Sequence, residues 1–241
     1  MKLLYIYHSG FLLEGEDFIL VIDYYRDSGE LNQGVVHDLL KNSRKRWYVL
    51  VSHRHPDHFN SEILQWSQQV ADIHYLFSRD VCKKLRQEER DGIVFLSKQE
   101  VWEDDIMRIK AYGSTDIGVS FCISFRGKFV FHAGDLNNWH WQEESTLQES
   151  ATYERNFLRE LQEIAAEVAK VDLAFFPVDP RLGKDYMRGA MQFIDHIAVK
   201  CLVPMHFWEN YAAANVLGDF VREKGIRFIT LNHPGQSIEL A

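Results

Sequence analysis

Short apolar runs fill the first half of the chain and predict β-strands. The segments "LLYIYH", "GFLLEG" and "DFILVID" are rich in aliphatic and aromatic residues, with "SG" and "EGE" as the breaks between them. "RWYVLVSH" is almost continuously apolar, which is typical of a strand that is buried on both faces. "DIHYLFS" and "GIVFLS" predict two further strands. This half is therefore expected to consist mainly of β-structure.

Three segments among these strands have the composition of helices. They read "VVHDLLKNSRK", "NSEILQWSQQV" and "RDVCKKLRQEER". In the second, Asn60 or Ser61 is a suitable N-cap residue, because a short polar side chain can accept a hydrogen bond from the first turn.

The middle of the chain predicts a hairpin, and the rest predicts alternating strands and helices. "DDIMRIKAYG", "GVSFCISF" and "KFVFHAG" are expected strands, with a tight turn at Arg126 and Gly127. A long helix, "TYERNFLRELQEIAAEVAKV", comes next. The tail reads strand "DLAFFPV", helix "YMRGAMQFIDHIAV", strand "CLVPMHF", helix "AAANVLGDFVREKG" and strand "IRFITL". This order predicts an α/β fold with two sheets between helices, in a single domain over residues 1–241.

The composition is that of a globular chain and excludes some partners. Hydrophobic residues make up 46% and charged residues 26% of the chain, and the formal net charge is -8. A nucleic-acid partner is not expected, because such binders need a basic surface. A membrane partner is not expected either, because no apolar run is long enough to span a bilayer. The three cysteines are widely spaced and odd in number, which predicts a reducing compartment, the cytoplasm.

The segment "HRHPDH" concentrates side chains that are poor core residues and good metal ligands. His53 and His55 are two residues apart at the end of a predicted strand, where alternate side chains point the same way. Pro56 forces a turn, and Asp57 and His58 follow just before a predicted helix. Imidazole and carboxylate groups suit zinc, iron or manganese. The spacing therefore predicts a metal site at the carboxyl end of this strand.

This motif resembles the signature of the metallo-β-lactamase-fold hydrolases, and further residues match in the expected order. Asp23 ends an early strand, Asp135 lies in "HAGD", and His206 lies in "VPMHF". "HSGF", "HAGD" and "PMHF" look most like the branch that includes the ascorbate phosphate lactonase. The resemblance implies a four-layer αββα sandwich and a hydrolase with two divalent metal ions, zinc first and manganese or iron as alternatives.

The resemblance also implies roles for the matching residues. One ion would be bound by two histidines, the other by an aspartate and two histidines, with a second aspartate as the bridge. His53 and His55 are the implied ligands of the first ion. Asp57, His58 and His206 are those of the second ion, and Asp135 is the implied bridge. Two ions about 3.5–4 Å apart share a hydroxide that attacks an ester, lactone or phosphodiester bond. Asp57 and His206 are the implied catalytic residues, and Asp57 also orients the hydroxide.

The chain departs from the family in one loop. The family supplies another histidine to the first ion from the middle of the chain, but "AYGSTDIGVSF" contains none. Asp116 is the best substitute in this loop, with Ser114 and Thr115 as poorer ones. A turn residue that hydrogen-bonds its own backbone is the alternative role for Asp116. Another possibility is that a histidine from elsewhere in the chain replaces the missing one: His8, His132, His140 or His233.

Other residues near the motifs are candidates for supporting a ligand or for contacting substrate. A substrate held by basic groups would be a small anion, and ordinary surface roles are the alternative for each candidate. The candidates are His8, His132, Trp139, His140, Arg181, Lys184 and His233.

Three other functions remain open at this stage. A nuclease of the same fold is disfavoured by the acidic balance, and an iron oxidoreductase is disfavoured by the lack of room for a fused flavin domain. A non-catalytic metal- or ligand-binding protein with a degenerate site remains because of the missing histidine. The sequence specifies neither the substrate nor the native metal, and it leaves a homo-oligomer open.

Overall fold

The computed structural model describes residues 1–30 and 33–240 and divides the chain into two compact units. Unit 1 comprises Met1–Ser97 and Asn232–Ala241, and unit 2 comprises Lys98–Leu231. The prediction that residues 1–241 form a single domain stays a prediction.

Unit 1 is built on one mixed sheet, which has seven strands among the described residues, in the order β16-β1-β2-β3-β4-β5-β6. The pairs within β1–β3 are antiparallel, and β3 to β6 run parallel. The strands are β1 (Lys2–Tyr7), β2 (Gly10–Glu14), β3 (Phe18–Ile22), β4 (Arg46–Val51), β5 (Ile73–Ser78), β6 (Ile93–Leu96) and β16 (Ser237–Glu239).

The helical segments of unit 1 are short. α1 (Val35–Asn42) confirms the first predicted helix. The second predicted helix is a 3-10 helix, Ser61–Gln68, and Asn60 accepts a hydrogen bond from the Glu62 N–H as its N-cap. The third predicted helix was wrong as a single helix, because it consists of two 3-10 segments, Arg79–Lys83 and Gln87–Arg90.

The core of unit 1 lies on the face of the sheet that α1 and the first 3-10 helix cover. Val36 and Leu40 of α1 and Ile63 and Trp66 of the 3-10 helix are buried in one cluster with alternate residues of the strands. Trp66 packs edge-on against Trp47 of β4, with 6.0 Å between ring centroids. Burying these large side chains stabilises the unit by roughly 1.5–3 kcal/mol each, which fixes β4 and the loop after it.

Unit 2 contains a second mixed sheet, with seven strands in the described range, in the order β15-β14-β12-β10-β9-β8-β7. The strands are β7 (Val101–Glu103), β8 (Arg108–Tyr112), β9 (Ser120–Phe125), β10 (Lys128–His132), β12 (Leu173–Pro177), β14 (Cys201–Met205) and β15 (Arg227–Phe228). β11 (Lys170–Val171) and β13 (Ala198–Val199) form a separate two-stranded sheet. The predicted turn at Arg126 and Gly127 is confirmed, and both residues have the positive φ angles that such a hairpin requires.

Unit 2 also contains a short 3-10 helix, Pro180–Leu182, and three α-helices. Each α-helix confirms a prediction: α2 (Leu147–Glu167), α3 (Arg188–His196) and α4 (Tyr211–Glu223). α2 begins with Thr146 in a reciprocal capping box with Glu149, a sequence signal for a helix start. Phe193 of α3 stacks on Phe131 of β10 and packs at a tilt against Phe176 of β12. This contact fixes the ends of β10 and β12, which precede the polar residues described below.

Candidate metal centre

In unit 1, the polar residues of interest follow two neighbouring parallel strands. β3 and β4 are paired, with Ile22 opposite Leu50, and they are followed by Asp23 and Ser52. Asp23 is completely buried. Its Oδ1 accepts a hydrogen bond from the Ser52 N–H at 2.7 Å, and its Oδ2 accepts one from Ser52 Oγ at 2.6 Å. The strand pairing thus puts a buried carboxylate at the start of the "HRHPDH" loop.

Asp23 also orients the histidines of this loop. Its Oδ2 lies 2.8 Å from Nδ1 of His58. Nδ1 of His53 lies 3.0 Å from Ser52 Oγ, whose single hydrogen is donated to Asp23, so His53 donates from Nδ1 to Ser52. In their neutral forms, both imidazoles therefore carry the hydrogen on Nδ1 and a lone pair on Nε2. A carboxylate that fixes the tautomer of a histidine in this way is a usual companion of a metal-bound imidazole.

Backbone hydrogen bonds hold the loop in a compact turn. The N–H groups of His58 and Phe59 both donate to the carbonyl oxygen of His55, at 3.0 Å. The backbone N–H of Arg54 donates to Asp80 Oδ2 at 3.1 Å. The turn predicted from Pro56 is therefore present. The rings of His53 and His55 have centroids 4.7 Å apart, so the turn brings these two histidines together.

His8 lies beside Asp57 in the same unit. His8 is completely buried, and its Nε2 is 3.3 Å from Asp57 Oδ2. Nε2 of His58 is 3.8 Å from the same oxygen. His8, Asp57 and His58 each offer one ligand atom, and these atoms lie within 4.8 Å of one another. Two imidazoles and a carboxylate at this spacing form a donor set that suits a divalent ion.

In unit 2, two carboxylates come together through a threonine. Asp116 and Asp135 have carboxylate oxygens within 4.8 Å of each other. Thr115 Oγ1 donates to the carbonyl oxygen of Asn137 at 2.6 Å and accepts from the Asn137 N–H at 2.9 Å. The hydroxyl of Thr115 is therefore used to join the "GSTD" loop to the loop after β10. Asp116, rather than Thr115, is the ligand candidate that this arrangement supports.

His206 is oriented by a carboxylate that the sequence analysis missed. It follows β14 directly, with φ of 62°, and its Nδ1 lies 3.0 Å from Oδ2 of Asp179, which is completely buried. Its Nε2 lies 3.4 Å from Oδ1 of Asp135. Asp179 follows β12, the parallel neighbour of β14. Carboxyl ends of adjacent parallel strands meet at one edge of a sheet, and this signal could have identified Asp179.

Asp179 also pairs with Arg181. The guanidinium donates from Nε to both oxygens of the carboxylate at 3.0 Å, and from Nη2 to Oδ2. Burial acts to raise the pKa of Asp179, but hydrogen bonds from His206 and Arg181 outweigh it and lower this pKa from 3.8 to about 2. Asp179 is therefore an anion at neutral pH, as a partner of the His206 Nδ1–H must be.

The remaining candidate histidines have local hydrogen-bond partners. His132 is buried at the end of β10 and accepts from the Gly134 N–H at Nδ1. His140 is also buried, and its Nδ1 accepts from the Gln142 N–H, so its Nε2 donates to the carbonyl oxygen of Asp185. Both nitrogens of His140 are thus engaged by backbone groups. His233 is exposed in unit 1, with Nδ1 2.8 Å from the carbonyl oxygen of Pro234.

The candidate substrate contacts are partly engaged elsewhere. Trp139 donates from Nε1 to the carbonyl oxygen of Asp135, and its ring stacks on Trp141 and meets His206 edge-on at 5.3 Å. Arg181 is committed to Asp179, and Lys184 is exposed. Their roles in substrate binding stay predictions.

Sequence and structure comparisons identify the class of protein. The sequence matches the family described as "Beta-lactamase superfamily domain" over residues 2–206, and the chain belongs to this family. The predicted α/β class and metallo-β-lactamase fold are confirmed.

Two relatives match over almost their whole length. A UPF0173 metal-dependent hydrolase of Nanoarchaeum equitans is 24% identical over 96% of this chain and 97% of its own. A second UPF0173 metal-dependent hydrolase, of Carboxydothermus hydrogenoformans, is 23% identical over the whole of both chains. The predicted enzyme class, a metal-dependent hydrolase, is confirmed at this level.

Two solved structures illustrate the range of chemistry on this fold. Igni18, a metallo hydrolase from Ignicoccus hospitalis, has a TM-score of 0.69 at 19% identity and covers 100% of this chain and 99% of its own. CmlA, a diiron β-hydroxylase from Streptomyces venezuelae, has a TM-score of 0.68 at 15% identity and covers 99% of this chain and 54% of its own. At these identities the likeness shows the fold alone.

Proposed function

We propose that this metal-dependent hydrolase cleaves an ester, lactone or phosphodiester bond of a small molecule and uses two divalent metal ions, zinc in the first instance. The observation that carries the proposal is a pair of buried aspartate–histidine contacts, Asp23 with His58 and Asp179 with His206. Each orients an imidazole so that Nε2 is its ligand atom, and burying these polar groups is costly unless something uses them.

The proposed ligand assignment keeps the family's pattern and fills its gap. His53 and His55 bind the first ion, with Asp116 in the place of the missing histidine. The second ion would be held by Asp57, His58 and His206, and Asp135 would serve both ions. Bound ions would supply an activated water and a Lewis acid for the leaving oxygen. The donor chemistry, imidazole nitrogens and carboxylate oxygens, fits zinc and also manganese or iron.

The chain's own groups have distinct tasks in this proposal. Asp23 and Asp179 hold the tautomers of His58 and His206, and Asp57 would orient the attacking hydroxide. The stacked pair Trp139 and Trp141 offers an apolar surface beside His206 for the organic part of the substrate.

The location of the protein and the charge of its substrate are also parts of the proposal. Within the described residues, no helix is both long and apolar enough to cross a membrane. Cys82, Cys122 and Cys201 are free thiols in the described part of the chain, and the reducing cytoplasm is the proposed location. An anionic substrate and a homo-oligomer are further parts of the proposal.

The first experiment is metal analysis of protein purified without chelator or added metal. The proposal predicts about two ions per chain. Loaded protein is then assayed with lactones, esters, phosphodiesters and single-stranded nucleic acid. Asp116→Ala is expected to weaken one ion more than the other, because it removes a ligand of the first ion. The exposed Asp105→Ala, in the same unit, is the matched control.

Each outcome selects a function. Two ions and turnover of a small ester, lactone or phosphodiester support the proposal, and turnover of nucleic acid alone selects a nuclease. No bound ion, even after incubation with zinc, manganese and iron, selects a non-catalytic binding protein. Unchanged stoichiometry and affinity in Asp116→Ala would reject Asp116 as a ligand.

A further inference from the structure

His8 occupies a position that ordinary packing does not explain. It lies in the tight turn between β1 and β2, with φ of 56°, in the left-handed region that costs energy for most residues other than glycine. It is completely buried, and its backbone N–H donates to the hydroxyl of Tyr5 at 3.0 Å. A histidine held in this conformation, away from water, indicates a requirement for its imidazole.

The turn that carries His8 lies directly against the backbone of Asp23. A Cβ atom added at Gly10 would lie 3.0 Å from the carbonyl oxygen of Asp23, so the glycine permits this approach. His8 and His58 then meet nearly at right angles, with ring centroids 6.0 Å apart. The turn therefore presents His8 to the same point as the end of the "HRHPDH" loop.

The distances fit shared coordination of an ion. Two ligand atoms that each lie about 2.0–2.1 Å from a tetrahedral zinc ion are about 3.3–3.4 Å apart. His8 Nε2 lies 3.3 Å from Asp57 Oδ2, and His58 Nε2 lies 3.8 Å from that oxygen. The first separation is the one expected for two ligands of one tetrahedral ion.

We infer that His8 is a ligand of the second metal ion, together with Asp57 and His58, all three from unit 1. The inference rests on the proposed function and deepens it. Unit 1 would then supply three of the donors to this ion. The first ion lacks the histidine that the family supplies from the middle loop, whereas the second ion gains an additional histidine, His8. The two ions are therefore expected to differ, the first richer in carboxylate and the second richer in imidazole.

Zinc binding to variants at His8 tests this assignment. His8→Asn keeps a residue that tolerates positive φ but removes the imidazole. His37→Asn is the matched control, because His37 is also a buried histidine of unit 1 paired with an aspartate, Asp27. The readout is the affinity for each of two zinc ions, measured by competition with a chromophoric chelator, together with crystal structures of the zinc-loaded proteins.

The expected result has three parts. One ion is bound more than about 100-fold more weakly in His8→Asn. This loss exceeds the roughly 10–100-fold that removal of a residue supporting a ligand usually costs, because His8 is itself a ligand. His37→Asn binds both ions as the native chain does. In the zinc-loaded native structure, His8 Nε2 lies about 2.0–2.1 Å from one ion. His8→Gly, which removes the backbone strain, is expected to recover affinity when imidazole is added.

Other outcomes separate this inference from the proposed function. Two ions bound equally well by the native chain and by His8→Asn would overturn the role of His8 and leave the proposed function standing. A zinc-loaded structure with His8 directed at Asp57 and away from any ion would also overturn it. A native chain that binds no ion would overturn the proposed function first.

Discussion

Both units orient a histidine of the candidate site with a buried aspartate, but different groups stabilise the two aspartates. In each, two neighbouring parallel strands end side by side, with a buried aspartate after one strand and polar residues of the candidate site after the other. In unit 1, Asp23 follows β3, and Ser52 and His53 follow β4. In unit 2, Asp179 follows β12 by two residues, and His206 follows β14 directly. Parallel pairing at strand ends is thus what brings a carboxylate to a histidine in both units.

The units differ in how the carboxylate is stabilised and in how many histidines it orients. Asp23 is served by neutral donors, the N–H and hydroxyl of Ser52, and it orients His58 directly and His53 through Ser52. Asp179 is served by the charged guanidinium of Arg181 and orients one histidine, His206. Unit 1 therefore depends on one buried residue more heavily than unit 2 does.

Asp23→Asn is expected to have the largest effect. Asparagine keeps the size and tolerates the φ of 51° at this position. Its amide nitrogen would face the Nδ1–H of His58, because Asp23 Oδ1 is needed by the Ser52 N–H, so His58 must change tautomer and lose its Nε2 lone pair. Two histidines are disturbed, and we expect metal affinity to fall by about 100-fold or more. Chelator competition with zinc measures it.

Asp27→Asn is the control for that variant, since Asp27 is a buried aspartate of unit 1 paired with His37, which is not a proposed ligand. It is expected to lower the free energy of unfolding and to leave metal affinity unchanged. Equal losses of metal in the two variants would mean that general damage to unit 1, and not the tautomer of His58, explains the effect.

Asp179→Asn is expected to have the second largest effect. An amide nitrogen would again replace the oxygen that accepts the Nδ1–H of the histidine, here His206. Only this one imidazole depends on Asp179. Metal affinity should fall by about 10–100-fold, the usual cost of removing a partner of a ligand. The affinity of each ion is measured by the same competition assay, with Asp185→Asn as an exposed control in the same unit. A loss larger than that of Asp23→Asn would reverse the comparison.

Much of the fold and of the candidate metal site could be predicted from the sequence, because the residues that define them are close together along the chain. His53, His55, Asp57 and His58 lie within six residues, and Pro56 enforces the turn that gathers them. Long amphipathic patterns predicted α2, α3 and α4 for the same reason. The 3-10 helices were not distinguished from α-helices, because apolar residues three apart, such as Ile63 and Trp66, fit either period.

The rest was not predicted, because most of it depends on which strands pair in the folded chain. Asp179 and His206 are 27 residues apart, and only the pairing of β12 with β14 brings them together. Arg181 was considered as an anion-binding residue. Its partner Asp179 is only two residues away, but the sequence Asp-Pro-Arg does not by itself show that the two side chains pair. Thr115 was considered as a poor ligand, whereas its hydroxyl joins two loops. Polar residues that support a ligand carry no spacing of their own.

Substitutions of Arg181 test how far Asp179 depends on the guanidinium, and they should have the smallest effect on metal affinity. Its side chain is 53% exposed, so its pairing with Asp179 is worth no more than about 1 kcal/mol of stability. Arg181→Ala should weaken metal binding by only about 2–10-fold, less than Asp179→Asn, if the carboxylate alone orients His206. The loss of metal affinity in Arg181→Lys should lie between that of the native chain and that of Arg181→Ala, because lysine keeps the charge and loses the two-pronged contact.

Arg188→Ala, which breaks a similar pair with Asp185, is the matched control for metal affinity. An Arg181→Ala loss as large as that of Asp179→Asn would mean that the guanidinium holds Asp179 in place, and unit 2 would then depend on a charged pair where unit 1 depends on Ser52.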